Sequence, residues 1–350
     1  MNNSAKTLKA VRNPVGRAAV VKIDDVARAA GVSPSTVSRV LNGTAVVSDA
    51  KKKAIDDAID TLGFVPNPLA RGLAGGRSLS IGVITQAIDS PFYGTALRGI
   101  QDQLDPAGYS ALFVNGNWNA SAEARCIDLL RARRVDGIIV LTGRLPDKSL
   151  KACAKTVPVV VTGRNLKAPG LFSINFDNFE GGRLATKHLI DLGHRDIAFI
   201  SGDPEHDDAL ERLRGYRVAL EAADIKFDPT LVVPGAYHEV SGLQAVGRLL
   251  ESRRKFTAIF AANDQMACGA TLGLQRRGLR VPDDVSLVGF DDLPTSVYAM
   301  PPLTTVRQPA YELGQLAATA MLQLLAGDKP EVLVPPPRVI TRESGRRLVA

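Results

Sequence analysis

A helix, a glycine turn and a second helix fit into KIDDVARAAGVSPSTVSRVLN at 22–42. No other stretch constrains the fold as tightly. Ala27, Ala29 and Ala30 precede Gly31 and are small enough to let two helices cross closely. Ser33 can accept from the open N–H groups of the next helix, and Pro34 suits the first helical position, where no N–H is needed. Val37, Val40 and Leu41 recur on one face at helical spacing. The opposite face carries Ser35, Thr36, Ser38, Arg39 and Asn42. Short polar groups and one Arg, on a helix whose back is buried, suit a helix lying in a DNA major groove. The plainer alternative is an alanine-rich helical hairpin with a solvated polar face.

Charge favours the first reading. The chain carries 43 Lys+Arg against 36 Asp+Glu, a net charge of +7. Twelve basic and six acidic residues fall within 1–80, so the rest of the chain is nearly neutral. The basic excess therefore surrounds the helical hairpin, where phosphate binding would need it. Part of it is a plain basic arm, since Lys6, Lys9, Arg12 and Arg17 lie in 1–20 with no acid among them.

A chain of 350 residues, 45% hydrophobic, can build two or three domains with proper cores. No apolar run approaches the roughly 18–20 residues that span a membrane. The first twenty residues lack the apolar core of a secretion signal, so the expected location is the cytoplasm. Cys126, Cys153 and Cys268 are odd in number and widely spaced, each in a helix-like segment. Buried thiols are the expectation, not a disulfide framework or a metal site.

Four parts follow along the chain. Residues 1–20 read as a disordered basic arm, 21–65 as three short helices and 66–79 as a linker. The third helix begins near Ser48 and ends at Gly63, a residue suited to a helix end. From 80 to 350 short apolar runs alternate with amphipathic helices: IGVI at 81–84, ALFV at 111–114, GIIV at 137–140, VPVVV at 157–161, IAFI at 197–200, LVV at 231–233, AIFA at 258–261 and VSLVG at 285–289. Such alternation predicts doubly wound parallel sheets with helices on both faces. About 270 residues is too many for one comfortable sheet. Two similar lobes with a ligand cleft between them are expected.

The ordered motifs DVARAAGVSPSTVSRVLNG at 25–43, GFVPNPLARGLAGGRS at 63–78, SPFYG at 90–94, RRVDGIIV at 133–140, HLIDLGHRDIAFISG at 188–202, RLRGY at 212–216, AANDQMACGA at 261–270, VPDDVSLVGFDD at 281–292 and PPLTTVRQP at 301–309 carry a resemblance. From Lys22 to Arg342 the chain resembles the LacI/GalR family of bacterial transcriptional regulators. The resemblance implies an N-terminal all-α helix-turn-helix DNA-binding domain and an α/β effector domain of two periplasmic-binding-protein-like lobes. It implies a homodimer on a pseudo-palindromic operator, a small-molecule effector, no cofactor and no catalytic or metal site.

Carried over by position, the family's leading recognition-helix residues fall on Pro34 and Ser35 and its later one on Arg39. Arg39 can bond a guanine edge through two N–H groups, whereas Ser35 discriminates weakly and Pro34 has only apolar contact to offer. Ser33, Thr36, Ser38 and Asn42 complete the expected DNA face. Lys22 stands where the family often has a capping Thr, and Asp24 and Asp25 compensate through the helix dipole. In the linker, Asn67 can cap a short helix that Ala70 and Leu73 continue, though Gly72, Gly75 and Gly76 weaken it. Leu73 matches the family's leucine that wedges into the minor groove. A flexible Gly-rich tether is the alternative.

For the effector, the resemblance points to Arg212 for ligand oxygens, Asp291 for ligand hydroxyls and Tyr237 as a stacking aromatic. Phe92 and Tyr93 can cover another ligand face, with Trp118 and Gln308 as further candidates. Asn263 either bonds the ligand or caps a helix. Arg164 stands after Gly163 where many sugar-binding relatives have Asp before Arg, a cation that would favour an acidic or phosphorylated ligand. NGNWN at 115–119 and DNFEGG at 177–182 resemble the purine repressor branch, but that branch's corepressor-binding Arg is His206 here. A carbohydrate or sugar acid, acting as inducer, is therefore expected first and a purine-like corepressor second. A periplasmic-type sugar-binding protein would share the lobes but not the helical hairpin.

Overall fold

The computed structural model describes residues 21–41, 47–64 and 77–348. Asn42, Asn67, Ala70, Leu73 and the arm at 1–20 lie outside the described residues. The chain divides into two compact units, Met1–Ser78 and Leu79–Ala350.

In the first unit α1 (Ile23–Ala29), α2 (Pro34–Leu41) and α3 (Asp49–Leu62) enclose Val26, Ala27, Val37, Ile55 and Ala58. Ser33 Oγ accepts from the Thr36 N–H at 3.2 Å and so caps α2. The departure at Lys22 is answered by Asp25, whose carboxylate accepts the Lys22 N–H at 2.9 Å. Gly31 and Gly63 turn the chain with φ of 64° and 59°, a region that favours glycine.

The second unit holds two sheets. The first lobe runs β1 (Ser80–Thr85), α4 (Pro91–Leu104), β2 (Ser110–Asn115), α5 (Ala120–Ala132), β3 (Gly137–Leu141), α6 (Asp147–Cys153), β4 (Val159–Thr162) and β5 (Leu171–Ile174). Its strands are all parallel in the order β2-β1-β3-β4-β5. The second lobe runs α7 (Asn178–Asp191), β6 (Ile197–Ser201), α8 (Asp207–Glu221), β7 (Val232–Pro234), α9 (Glu239–Glu251), β8 (Ala258–Ala261), α10 (Asp264–Gln275), β9 (Ser286–Asp291) and β10 (Thr304–Arg307). Then α11 (Ala310–Ala326) returns to pack on α4, β3 and β4, and β11 (Arg338–Ile340) closes the second sheet. That sheet is ordered β11-β10-β9-β8-β6-β7, with β11 antiparallel to β10. Three stretches therefore cross between lobes, at 175–177, 308–309 and 327–337.

The eight apolar runs fall on or against strands. Sequence reading missed β5, β10 and β11. LFSI at 171–174 is short and contains Ser, and TTVR at 304–307 opens on two Thr, although both Thr are fully buried. The thiols also differ from expectation: Cys153 is buried and Cys126 half-buried, but Cys268 is exposed on α10.

Helices pair through reciprocal glycines. A Cβ at Gly99 would meet the Tyr311 carbonyl oxygen at 2.1 Å, and one at Gly314 the Ala96 oxygen at 2.1 Å, which locks α4 against α11. Gly242 and Gly269 do the same for α9 and α10, the latter at 1.8 Å from the Glu239 oxygen. Gly269→Ala should cost about 3 kcal/mol or more, since backbone must move to admit the methyl. That corresponds to roughly 6–12 °C in the thermal midpoint of a unit this size. Gly247→Ala, on α9 with nothing within 4 Å of its Cβ, should gain about 0.5–1 kcal/mol from helix propensity. Equal midpoints for the two variants in calorimetry would show that the α9–α10 contact yields without cost.

Candidate functional site

Loops after the strands line a cavity of about 530 Å³ between the two lobes of the second unit. Phe92, Tyr93, Trp118, Arg212, Tyr237, Asn263, Asp291 and Gln308 all line it. Arg164 does not, and corrects the expectation of a ligand-facing cation. Its guanidinium donates to the carbonyl oxygens of Gly143 and Leu145 and pairs with Asp147 at 3.2 Å. Only its neighbour Gly163 reaches the cavity.

Arg212 is 4% exposed. Its Nε donates to Asn178 Oδ1 at 2.9 Å and its Nη2 to Gln308 Oε1 at 2.9 Å, while Nη1 donates to the Ala262 carbonyl. The guanidinium lies 3.7 Å above the Phe290 ring. Three of its five N–H donors are thus used inside the protein, which leaves two. Asn263 performs the capping role: its Oδ1 accepts the Met266 N–H at 2.9 Å and its Nδ2 donates to the Tyr237 carbonyl at 3.0 Å.

Sequence reading noted His206 only as the replacement of the purine branch's Arg, and missed Asp208 and Asn178; all three line the cavity. His206 stacks on Trp118 with ring centroids 3.8 Å apart, and lies parallel to Tyr237 at 5.9 Å. Buried His206 Nδ1 and Tyr237 Oη have no partner within the described residues. Burial holds the imidazole below its usual pKa and so favours its neutral form. The lining also contains Asp89, Asp208, Glu239 and Asp291, against Arg212 as the single Arg or Lys among the described lining residues. Burial pushes the Asp208 and Asp291 carboxyls up, Asp291 well above the carboxylate range, with Arg212 opposing both shifts.

Asp291 sits at the end of β9 with φ 112°, followed by Asp292 at 59°, both in the region that costs a side-chain-bearing residue about 1–3 kcal/mol. Two buttresses hold that turn. Arg342 pairs with Asp292 at 2.6 Å. Asp264, 3% exposed, accepts the Leu293 N–H at 2.8 Å and the Ser296 and Thr305 hydroxyls at 2.6 Å each.

In the first unit, α2 buries Val37 and leaves Ser33, Pro34, Ser35 and Arg39 exposed, with Thr36 and Ser38 half-buried. One helix thus turns a polar, basic face outward at the end of a tight helix pair.

A helix-turn-helix unit joined to a two-lobed α/β unit with a polar cleft defines the class: a DNA-binding regulator with a ligand-binding domain. Residues 22–67 match the family model described as bacterial regulatory proteins, lacI family, and residues 186–345 match the periplasmic binding protein-like domain. The HTH-type transcriptional regulator DegA of Bacillus subtilis is 34% identical over 328 residues, 92% of this chain and 97% of DegA. Among solved structures, the lac repressor dimer bound to operator and the anti-inducer ONPF is 32% identical with a TM-score of 0.82, covering 93% of this chain and 99% of that one. The complex of the transcriptional regulator CelR with cellobiose is 35% identical with a TM-score of 0.70, covering 93% and 100%. The chain belongs to the lacI family of bacterial regulatory proteins.

Asp264 makes the cleft's support sensitive to pH. Burial pushes its carboxyl up from 3.8 to about 6, against the three hydrogen bonds it accepts. A raised folded-state pKa means a stabilising contribution that is fully present below the unfolded value of 3.8 and lost as pH rises through about 6. Asp264→Asn stays neutral throughout. Between about pH 4 and 7 the stability of the natural chain should fall relative to this variant by about 2–3 kcal/mol. Parallel stability curves in denaturant titrations across that range would show that Asp264 ionises normally.

Proposed function

We propose that this chain is a cytoplasmic homodimeric repressor, not an enzyme, and that a neutral carbohydrate in the cleft lowers its affinity for a pseudo-palindromic operator. One observation carries the ligand class. The cavity presents four carboxyl groups, with the pKa of Asp208 and Asp291 raised by burial, and a single guanidinium already bonded to Asn178, Ala262 and Gln308. An anionic sugar acid or sugar phosphate would meet acidic groups and no free-standing cation among the described lining residues to offset its charge. Sugar hydroxyls can instead donate to Asp208 and Asp291, while Phe92, Trp118 and Tyr237 offer flat faces to the C–H side of a ring. CelR, so similar overall, is solved with cellobiose. The withdrawal of Arg164 into the protein removes the feature that spoke for an acidic ligand.

The mechanism follows from linkage. A ligand that prefers one arrangement of the lobes shifts operator affinity only by its differential affinity for the two arrangements, and operator shifts ligand affinity equally. Pro34, Ser35, Ser38 and Arg39 are the proposed base-reading face, with Ser33 and Thr36 setting the start of the helix. Asn42, Asn67, Ala70 and Leu73 are proposed contacts from outside the described residues.

Three measurements test this reading. In gel-shift titrations Arg39→Ala should lose about 1–3 kcal/mol of preference for operator over random DNA and keep most nonspecific binding; an unchanged preference would remove Arg39 from base readout. In thermal unfolding, a neutral mono- or disaccharide at 100 times its dissociation constant should stabilise the second unit by roughly 2.7 kcal/mol. Asp291→Asn should weaken that ligand about 10–100-fold. A shift with sugar phosphates or sugar acids alone would overturn the neutral-ligand reading, and a shift with purine bases alone would reassign the cleft to a corepressor. Turnover of a glycoside by the purified protein would refute the non-enzymatic assignment.

A further inference from the structure

The loop from Thr142 to Leu145, after β3 in the first lobe, is held by two charged side chains that the cleft itself does not use. Glu123, on α5, is fully buried. Its carboxylate accepts the Arg144 N–H at 2.8 Å and the Leu145 N–H at 2.9 Å. From the other side Arg164 donates to the carbonyls of Gly143 and Leu145. Thr142 and Gly143 have φ of 57° and 116°, and a Cβ at Gly143 would come within 2.6 Å of both Gln86 Nε2 and Glu123 Oε2. Burying charged groups against backbone is expensive unless each is bonded, so this loop is set in one shape at a real cost.

That shape carries Arg144 across the cleft. Its guanidinium pairs with Asp203 at 2.6 Å and Glu205 at 2.5 Å, both on the loop after β6 in the second lobe. Next to the ion pairs, Trp118 of the first lobe stacks on His206 of the second. A third bond between lobes runs from Ser90 Oγ to Gln265 Oε1 at 3.2 Å.

We infer that Arg144, presented by Glu123 and Arg164, is a clasp that holds the two lobes shut and sets how readily the cleft opens. The clasp joins the lobes through their own side chains, whichever ligand the cleft takes. Arg164 and Glu123 act through Arg144 and are positioning residues. The clasp is electrostatic and partly exposed, with 31% of the Arg144 and 34% of the Asp203 side chain accessible. It is therefore weakened by salt.

The chain supplies its own reporter, because Trp118 is its single Trp and lies in the stack that opening would break. The experiment is acrylamide quenching of Trp118 fluorescence in the full-length, ligand-free protein at about 0.02 M and about 0.5 M salt. In the natural chain quenching should rise with salt. Arg144→Ala should shift the open-to-closed ratio roughly five- to tenfold, giving strong quenching at both salts. Asp203→Asn with Glu205→Gln, on accessible side chains whose replacement leaves the fold intact, should match it. The exchange of Arg144→Asp with Asp203→Arg should restore protection at low salt, which a packing role would not. Arg164→Ala, which leaves both ion-pairing partners in place, should lose most of the protection. Wild-type quenching in Arg144→Ala and in the double variant, or no recovery in the exchange, would overturn the clasp. Wild-type quenching in Arg164→Ala would overturn the positioning assigned to it.

Discussion

The second unit depends on where one guanidinium is kept. Arg212 is bonded at once to the first residue of α7, to the chain just beyond β8 and to Gln308 on the crossover between β10 and α11. It rests on Phe290, a core residue of β9. One side chain thereby ties the helix layer, the sheet and the lobe-to-lobe crossover of the second lobe to a single point. A buried charge is tolerated only where it is bonded and offset. The bonds come from the two amides and the carbonyl, and Asp208 and Asp291 lie close enough for Arg212 to oppose the rise that burial gives their carboxyls. The same arrangement that ties the lobe together leaves carboxyl groups as the acidic groups of the cleft, beside an Arg212 already bonded within the protein.

Support for the cleft extends well beyond its lining. Asp291 points from a backbone conformation that a non-glycine residue adopts only when its surroundings insist. Asp264 and Arg342 supply that insistence through Leu293, Ser296 and Asp292. On the first lobe, Glu123 and Arg164 play the matching part for the loop of Arg144. Each lobe thus brings a shaped loop to the cleft, and each loop is held by one buried carboxyl group, Glu123 or Asp264, and one half-buried Arg, Arg164 or Arg342.

Much of the fold was legible because parallel sheets covered on both faces leave continuous apolar runs. Runs such as GIIV at 137–140 and AIFA at 258–261 are fully buried strands. The edge and crossover strands β5, β10 and β11 escaped, because a strand of three or four residues that contains Thr, Ser or Arg has no such run to show. Arg212, Asp291 and Tyr237 were found through motifs that the resemblance marked. Asp208, Arg144 and Glu123 were not, and His206 was marked only as the loss of an Arg. Their roles arise from contacts between segments more than twenty residues apart, about sixty for Arg144 and Asp203 and nearly ninety for Trp118 and His206, and local pattern does not encode those. Arg164 misled for the same reason: its neighbour Gly163 faces the cavity, and only the fold shows that the side chain turns to the loop of Gly143.

The strength of the contacts between lobes bears on how the protein can switch. Partly exposed ion pairs such as Arg144 with Asp203 contribute about 0.2–1 kcal/mol each. An aromatic stack such as Trp118 on His206 adds about 0.5–1.5 kcal/mol. Together they bias the lobes by a few kcal/mol at most, whereas moving a population from 1:99 to 99:1 takes about 5.5 kcal/mol. A clasp of this size cannot commit the molecule to one state. It leaves the balance within reach of a ligand that makes several hydrogen bonds to Asp208, Asp291 and the His206 Nδ1 and Tyr237 Oη, which have no partner among the described residues. A stronger clasp, with the pair buried and fully bonded, would hold the cleft shut against ligand entry. A regulator needs the weaker one, in which contacts between lobes set the resting balance and the ligand decides it.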